Sequence, residues 1–203
     1  MELFTIGYSG YEREELAAEL RKHGVGCVVD VRSVPASSYR TEFNAEPLKH
    51  FLKKHGILYG HMPEEFGAQQ EDVRFYQADG YMDFEAFAAS KAFQRGMRRI
   101  ASAERMGIVC ALMCAEKDAM NCHRAILIAR HFHEAGWRVT HIMPQGSEAH
   151  ERLEERLLDM YFPDRGQLSM LEEMRTDAEL LEEAYRLHNR KIGFRPNGER
   201  TIE

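Results

Sequence analysis

The sequence predicts an α/β fold: a three-layer sandwich with a mostly parallel sheet of about five strands and a helical C-terminal appendage. Short, nearly unbroken apolar stretches alternate with segments of helical periodicity, which is the pattern of strands covered by helices on both faces. Glycines and prolines fall at the joins between the two kinds of segment. The chain has 203 residues, 44% of them hydrophobic, enough for one sizeable core and too few for two.

Leu3-Phe4-Thr5-Ile6 is short, apolar and bounded by Gly7 and Gly10, and so reads as the first strand. Leu16, Leu20 and the alanines between them recur at helical spacing until Gly24. Cys27 to Arg32 is β-branched and continuously apolar apart from its end, a second strand broken by Pro35. Asn44 is the expected N-cap of a helix through Pro47, Leu48, Phe51 and Leu52, with Gly56 as its stop and Ile57-Leu58-Tyr59 as a third strand. His61 to Gly80 is polar and irregular, a long loop. Asp83 and Ser90 are expected caps, and Phe93, Met97, Ile100 and Ala101 form the stripe of a core-facing helix.

Ile108 to Cys114 is the most apolar strand of the chain. Asn121 is expected to cap the helix that carries Ala125, Ile128, Ala129 and Phe132; Gly136 ends it, and Trp137 to Met143 closes the series before Pro144. Two more helices are expected around Leu153 to Met160 and Ala178 to His188. This reading divides the chain into an α/β core at 1–147 and an acidic helical extension at 148–203 packed on it.

The formal charge of −6 is uneven: Glu148 to Glu183 holds 12 acidic and 4 basic residues, so the remainder is slightly basic. The total therefore does not exclude an anionic ligand. No basic, apolar leader opens the chain, and the longest apolar run falls far short of a membrane span, so a cytoplasmic protein with no membrane partner is expected. Four cysteines in that setting point to reduced thiols.

In open parallel sheets ligands bind outside the carboxyl ends of the strands. Those ends are Gly7-Tyr8-Ser9, Asp30-Val31-Arg32-Ser33, Tyr59-Gly60-His61, Cys114-Ala115-Glu116-Lys117 and His141, all rich in polar groups, whereas the strand beginnings are mostly turn residues. The densest constellation runs from Cys114 to Arg124 and joins the most buried strand to a helix. Cys122, His123 and Arg124 are expected in the first helical turn, where the helix dipole lowers a thiol pKa and attracts an anion. Arg32 can present its planar fork to a carboxylate or phosphate.

Taken together, Thr5-Ile6-Gly7-Tyr8-Ser9, Val29-Asp30-Val31-Arg32-Ser33-Val34-Pro35, Tyr59-Gly60-His61 with Phe66-Gly67, and Cys114-Ala115-Glu116-Lys117 with Cys122-His123-Arg124 resemble the family catalogued as domain of unknown function 488. The resemblance covers about Phe4 to His150. It implies one α/β domain, clustered polar motifs and a bacterial or archaeal cytosolic protein, and it supplies no reaction. The chain departs from the family pattern at Ala68-Gln69, where a glycine pair is usual, and at Ala119-Met120, where a proline is common.

The expected site is therefore catalytic through Asp30, Glu116, Cys122 and His61 and ligand-binding through Tyr8, Ser9, Arg32, Lys117, His123 and Arg124, with no metal ligands assigned and the cofactor left open. The first reading is hydrolysis or group transfer on an anionic, nucleotide-like small molecule. The bland counterpart is that Asp30 pairs with an arginine and Glu116 caps a helix. A second reading uses Cys114, Cys122 and His123, with or without His61, as a thiol or metal site, against which stands the seven-residue gap between the cysteines, unlike a Cys-x-x-Cys knuckle. A third is a nucleic-acid or protein-binding module using Arg95, Arg98, Arg99 and Arg105 on one helix, without a recognisable nucleic-acid motif. His141 and His150 are placed within reach of the crevice. The oligomeric state is left open.

Overall fold

The computed structural model describes residues 1–165 and 175–196. Its sheet has six strands in the order β3-β2-β4-β1-β5-β6. They are β1 (Glu2–Gly7), β2 (Cys27–Asp30), β3 (Leu58–His61), β4 (Cys110–Cys114), β5 (Arg138–Met143) and β6 (Gly146–Ala149). The first five are parallel, and β6 adds an antiparallel edge to β5. The expected boundary between 147 and 148 falls inside β6, a strand the apolar pattern did not reveal because Gly-Ser-Glu-Ala offers no buried side chain.

Alternation along the strands buries one apolar cluster on each face of the sheet. Leu3, Val29, Leu112 and Val139 face one side of the sheet, while Phe4, Ile6, Val28, Met113 and Ile142 face the other. The second side is covered by α1 (Arg13–Lys22) through Leu16 and Leu20, and by α2 (Ala45–Lys54) through Leu48 and Leu52. The first side is covered by α4 (Phe84–Ala88), α5 (Lys91–Arg105), a π-helix (Arg124–Ala129) that runs into α6 (Arg130–Glu134), α7 (His150–Tyr161) and α8 (Asp177–Ile192). The two C-terminal helices thus bury Leu153, Leu157, Ala184 and Tyr185 in the same cluster as the sheet.

The predicted caps at Asp83 and Ser90 form. Asp83 accepts from the backbone N–H of Glu85 and Ala86, and Ser90 accepts from that of Phe93 at 3.1 Å. Gly56 and Gly136 end their helices with φ of +73° and +82°, a left-handed conformation that side chains resist. Three expectations change. Asn44 begins α2, yet its side chain accepts from the Ser37 N–H instead of capping the helix. The stretch 61–80 is not a bare loop: it holds α3 (Pro63–Phe66), and Tyr76 bridges to Met82. The helix expected to be capped by Asn121 begins instead as the π-helix at Arg124, buried along its whole length, so Cys122 lies in the preceding turn and His123 at the N-cap.

Candidate functional site

A cleft of about 720 Å³ opens at the carboxyl ends of β1, β2 and β4. Tyr8 follows β1, Arg32, Ser33, Val34 and Ala36 follow β2, and Cys114 to Glu116 with Asn121 to His123 follow β4. Ala68 and Gln69 form one wall, tied to the β2 end because the Gln69 N–H donates to Ser33 Oγ at 2.8 Å. The opposite wall, Lys191 to Arg195, comes from the end of α8.

Arg32 is held from behind. Its Nε donates to both oxygens of Asp30, its Nη2 donates to Asp30 Oδ2 at 2.5 Å and to the Phe43 carbonyl at 2.9 Å, and the Arg32 N–H also reaches Asp30. Asp30 has no exposed surface and accepts one more bond, from the Tyr59 hydroxyl at 2.7 Å. Burial and the Asp30 charge push the Tyr59 pKa above its ordinary value, which keeps it a donor. The guanidinium lies 5.0 Å from the centroid of the Tyr8 ring, and that ring stacks on Phe43. Its Nη1 is buried and has no partner among the described residues.

The segment from Ala115 to His123 is braced on every side. Arg124, fully buried, donates from Nη1 to the Glu116 carbonyl at 2.7 Å. His188 of α8 donates from Nε2 to the Met120 carbonyl at 2.8 Å, and Arg156 of α7 pairs with Asp118. Gly7 makes the close approach possible, since a Cβ there would sit 1.8 Å from the Glu116 oxygen. The braced segment brings Cys114, Cys122 and His123 together, with their ligating atoms all within 4.8 Å of one another.

The Val31 carbonyl can only accept, so His123 Nε2 carries a proton and donates to it at 3.1 Å, leaving Nδ1 facing Cys122 Sγ at 3.8 Å. Burial raises the Cys122 pKa, but the neighbouring Cys114, the Arg124 guanidinium and His123 outweigh it and bring the thiol well below its ordinary value. The neighbouring Cys122, together with burial, pushes Cys114 well above its own.

Of the residues expected at the site, Tyr8, Arg32, Glu116, Cys122 and His123 line the cleft, together with Cys114. Asp30 sits behind Arg32 as its carboxylate partner, which is the bland reading of that residue. His61 faces the β2 end, where its Nε2 donates to the Arg32 carbonyl at 2.7 Å. Arg124 clamps the loop instead of facing the cleft, and Ser9 is tied through its N–H to the Ala115 carbonyl. Lys117 is exposed outside the lining. His141 and His150 are fully buried in a separate hydrogen-bonded chain and do not reach the cleft. On α5, Arg95 and Arg99 pair with Glu65, and Arg95 also with Glu64, which neutralises part of that basic face.

Sequence reasoning missed the α8 wall and Gln69. The former follows an acidic helix with no periodic link to the sheet, and the latter stands where the chain departs from the family pattern. No described helix is long and apolar enough to cross a membrane. No curated protein and no solved structure matches the chain. A family model does match residues 12–130, more than half of the chain and inclusive of the Cys114–Arg124 segment, and the protein therefore belongs to the family described as Domain of unknown function DUF488.

Proposed function

We propose that the cleft binds an anionic small molecule bearing a phosphate or carboxylate, nucleotide-like in size, and carries out hydrolysis or group transfer on it. The observation that carries the reading is the free Nη1 of Arg32. Asp30, itself held by Tyr59, and the Phe43 carbonyl fix the guanidinium of this cleft-lining residue, and its buried Nη1 is left without a partner among the described residues. A buried donor without an acceptor costs about 1–3 kcal/mol, and more when charged, so a ligand oxygen at Nη1 recovers an energy already spent in folding. Arginine suits this task because its planar fork can be locked on one side and remain open on the other. Lys191 and Arg195 on the facing wall add two cations to the Asp30-paired Arg32, and among the described lining residues Glu116 is the one carboxylate. Glu116 is exposed at the rim and is the group available for proton transfer.

Calorimetric titration with inorganic phosphate, a nucleoside monophosphate and the uncharged nucleoside tests binding. Wild type should prefer the phosphorylated compounds, and Arg32→Lys, which cannot offer the fork, should bind them at least about tenfold more weakly. Equal affinity in Arg32→Lys, or equal affinity for the neutral nucleoside, refutes the reading. Turnover of phosphate esters and anhydrides that is lost in Glu116→Gln tests the catalytic half; no turnover by wild type across that panel refutes it.

A further inference from the structure

We infer that Cys114, Cys122 and His123 form a mononuclear site for a thiophilic divalent cation of the zinc class, with one coordination position open to the cleft. The inference goes beyond anion binding and does not depend on Arg32.

The donor triangle is close in size to a tetrahedral site, with about 1 Å at most to close on its longest edge. Tetrahedral zinc, with Zn–S near 2.3 Å and Zn–N near 2.0–2.1 Å, separates a sulfur from a nitrogen ligand by about 3.6 Å and two sulfurs by about 3.8 Å. Here the sulfur–nitrogen separation is 3.8 Å and all three atoms lie within 4.8 Å of one another. Such a contact is long for an ordinary hydrogen bond and suitable for two ligands of one ion.

The orientation of the histidine is fixed from outside. Its Nε2–H donates to the Val31 carbonyl, so the bare Nδ1 faces the two sulfurs, which is the arrangement that supports metal-bound histidines. The ligands are also held in place before any ion arrives. Cys114 ends β4, and the turn carrying Cys122 is closed by the Cys122 N–H bond to the Ala119 carbonyl, while Arg124 and His188 brace the loop before it.

Charge and ligand type select the ion. Two thiolates, one neutral imidazole and a dication sum to zero, which a buried site tolerates, whereas a monovalent ion leaves one uncompensated negative charge. The set contains no oxygen donor, which disfavours magnesium and calcium. Three protein ligands, all lining the cleft, leave the fourth position to water or a ligand, as in catalytic and not structural zinc sites. His61 is outside the set, and Cys27 with Cys110 forms a separate thiol pair among the described residues.

The test is titration of reduced, chelator-treated full-length protein with Co²⁺ and then Zn²⁺. Wild type should take up one Co²⁺ per chain with a thiolate-to-cobalt charge-transfer absorption that Zn²⁺ abolishes. Zinc affinity should fall at least about 100-fold in Cys114→Ser, Cys122→Ser and His123→Gln, and stay unchanged in Cys27→Ser. Because the cobalt spectrum is read on wild type, the test survives misfolding of any variant. Absence of the charge-transfer band, tight copper(I) uptake without a stable zinc complex, or alkylation of Cys122 at the same rate with and without Zn²⁺ each overturns the inference. The last result would favour a free thiol. Failure of anion binding in the phosphate titration leaves this result intact, and the converse holds as well.

Discussion

Lowering the pH from 7.5 to 4.5 should destabilise this protein steeply through two histidines that have no exposed surface. The Thr5 hydroxyl donates to His141 Nδ1 at 2.8 Å, His141 Nε2 donates to His150 Nδ1 at 3.0 Å, His150 Nε2 donates to the Tyr185 oxygen at 3.0 Å, and Tyr185 donates to Glu154 at 2.9 Å. Each ring uses one N–H and one bare nitrogen, so a second proton on either ring breaks a bond in the chain. Burial, together with His133 and Arg130, lowers His150 from 6.5 to about 3. Burial and the neighbouring His150, Arg124 and Arg156 push His141 well below 6.5.

Because both folded pKa values are depressed, the unfolded chain binds more protons as the pH drops. The stabilisation is complete above about pH 6.5 and is lost progressively down to the folded pKa values. At 1.36 kcal/mol per unit, His150 alone accounts for about 5 kcal/mol between pH 6.5 and 3. That is a large part of a typical domain stability of about 5–15 kcal/mol. Two neutral rings give a slope of about 2.7 kcal/mol per pH unit near pH 5. Glu154, raised above 4.5 chiefly by burial, acts in the opposite sense and offsets part of this slope, while His188, also fully buried and lowered chiefly by burial, adds to it. Urea denaturation at several pH values measures the slope, and His150→Asn should remove one proton of it, about 1.4 kcal/mol per unit. A midpoint that does not move between pH 6.5 and 5, or imidazole resonances titrating near 6.5, would refute the reasoning.

Other perturbations give distinct outcomes. Asp30→Asn leaves the Arg32 guanidinium buried without its carboxylate and should cost about 3–5 kcal/mol in chemical denaturation; Tyr59→Phe, which removes one neutral donor from the same carboxylate, should cost about 1–2 kcal/mol. Gly7→Ala drives a methyl into the Glu116 carbonyl and should cost about 2–3 kcal/mol, with changed amide shifts along Ala115–Lys117. Arg95→Ala, by contrast, removes an exposed ion pair to Glu64 and one of two arginine partners of the buried Glu65, which keeps Arg99, and should change stability by about 1 kcal/mol or less.

The parallel strands were legible because a strand buried on both faces must be apolar throughout, as Cys110 to Cys114 is. Two helix starts were legible through their caps, Asp83 and Ser90, whereas Asn44 and Asn121 do not cap the helices they precede. β6 was not, since its pairing depends on the partner β5 and not on its own side chains. The π-helix was also hidden: Arg124 to Ala129 is buried all round, so no amphipathic period marks its geometry. At the site, strand-end logic brought out Tyr8, Arg32, Glu116, Cys122 and His123. It could not tell which side chains turn outward to the cleft and which, like Asp30 and Arg124, turn inward to hold the others. The cysteines illustrate the limit: seven residues separate Cys114 from Cys122, and only the bracing of the intervening loop by Arg124, His188 and Arg156 brings the sulfurs together.

The proposed anion-binding cleft joins the ends of β1, β2, β4 and α8 around Arg32. The most direct test follows the Arg32 side-chain nitrogens and the amides of Ser33, Gln69, His123 and Gly193 by heteronuclear NMR during titration with a phosphomonoester. All of them should shift along a single saturation curve, with Arg32 Nη1 moving most. Saturation that leaves Arg32 unmoved, or shifts confined to the α5 arginines, would contradict it.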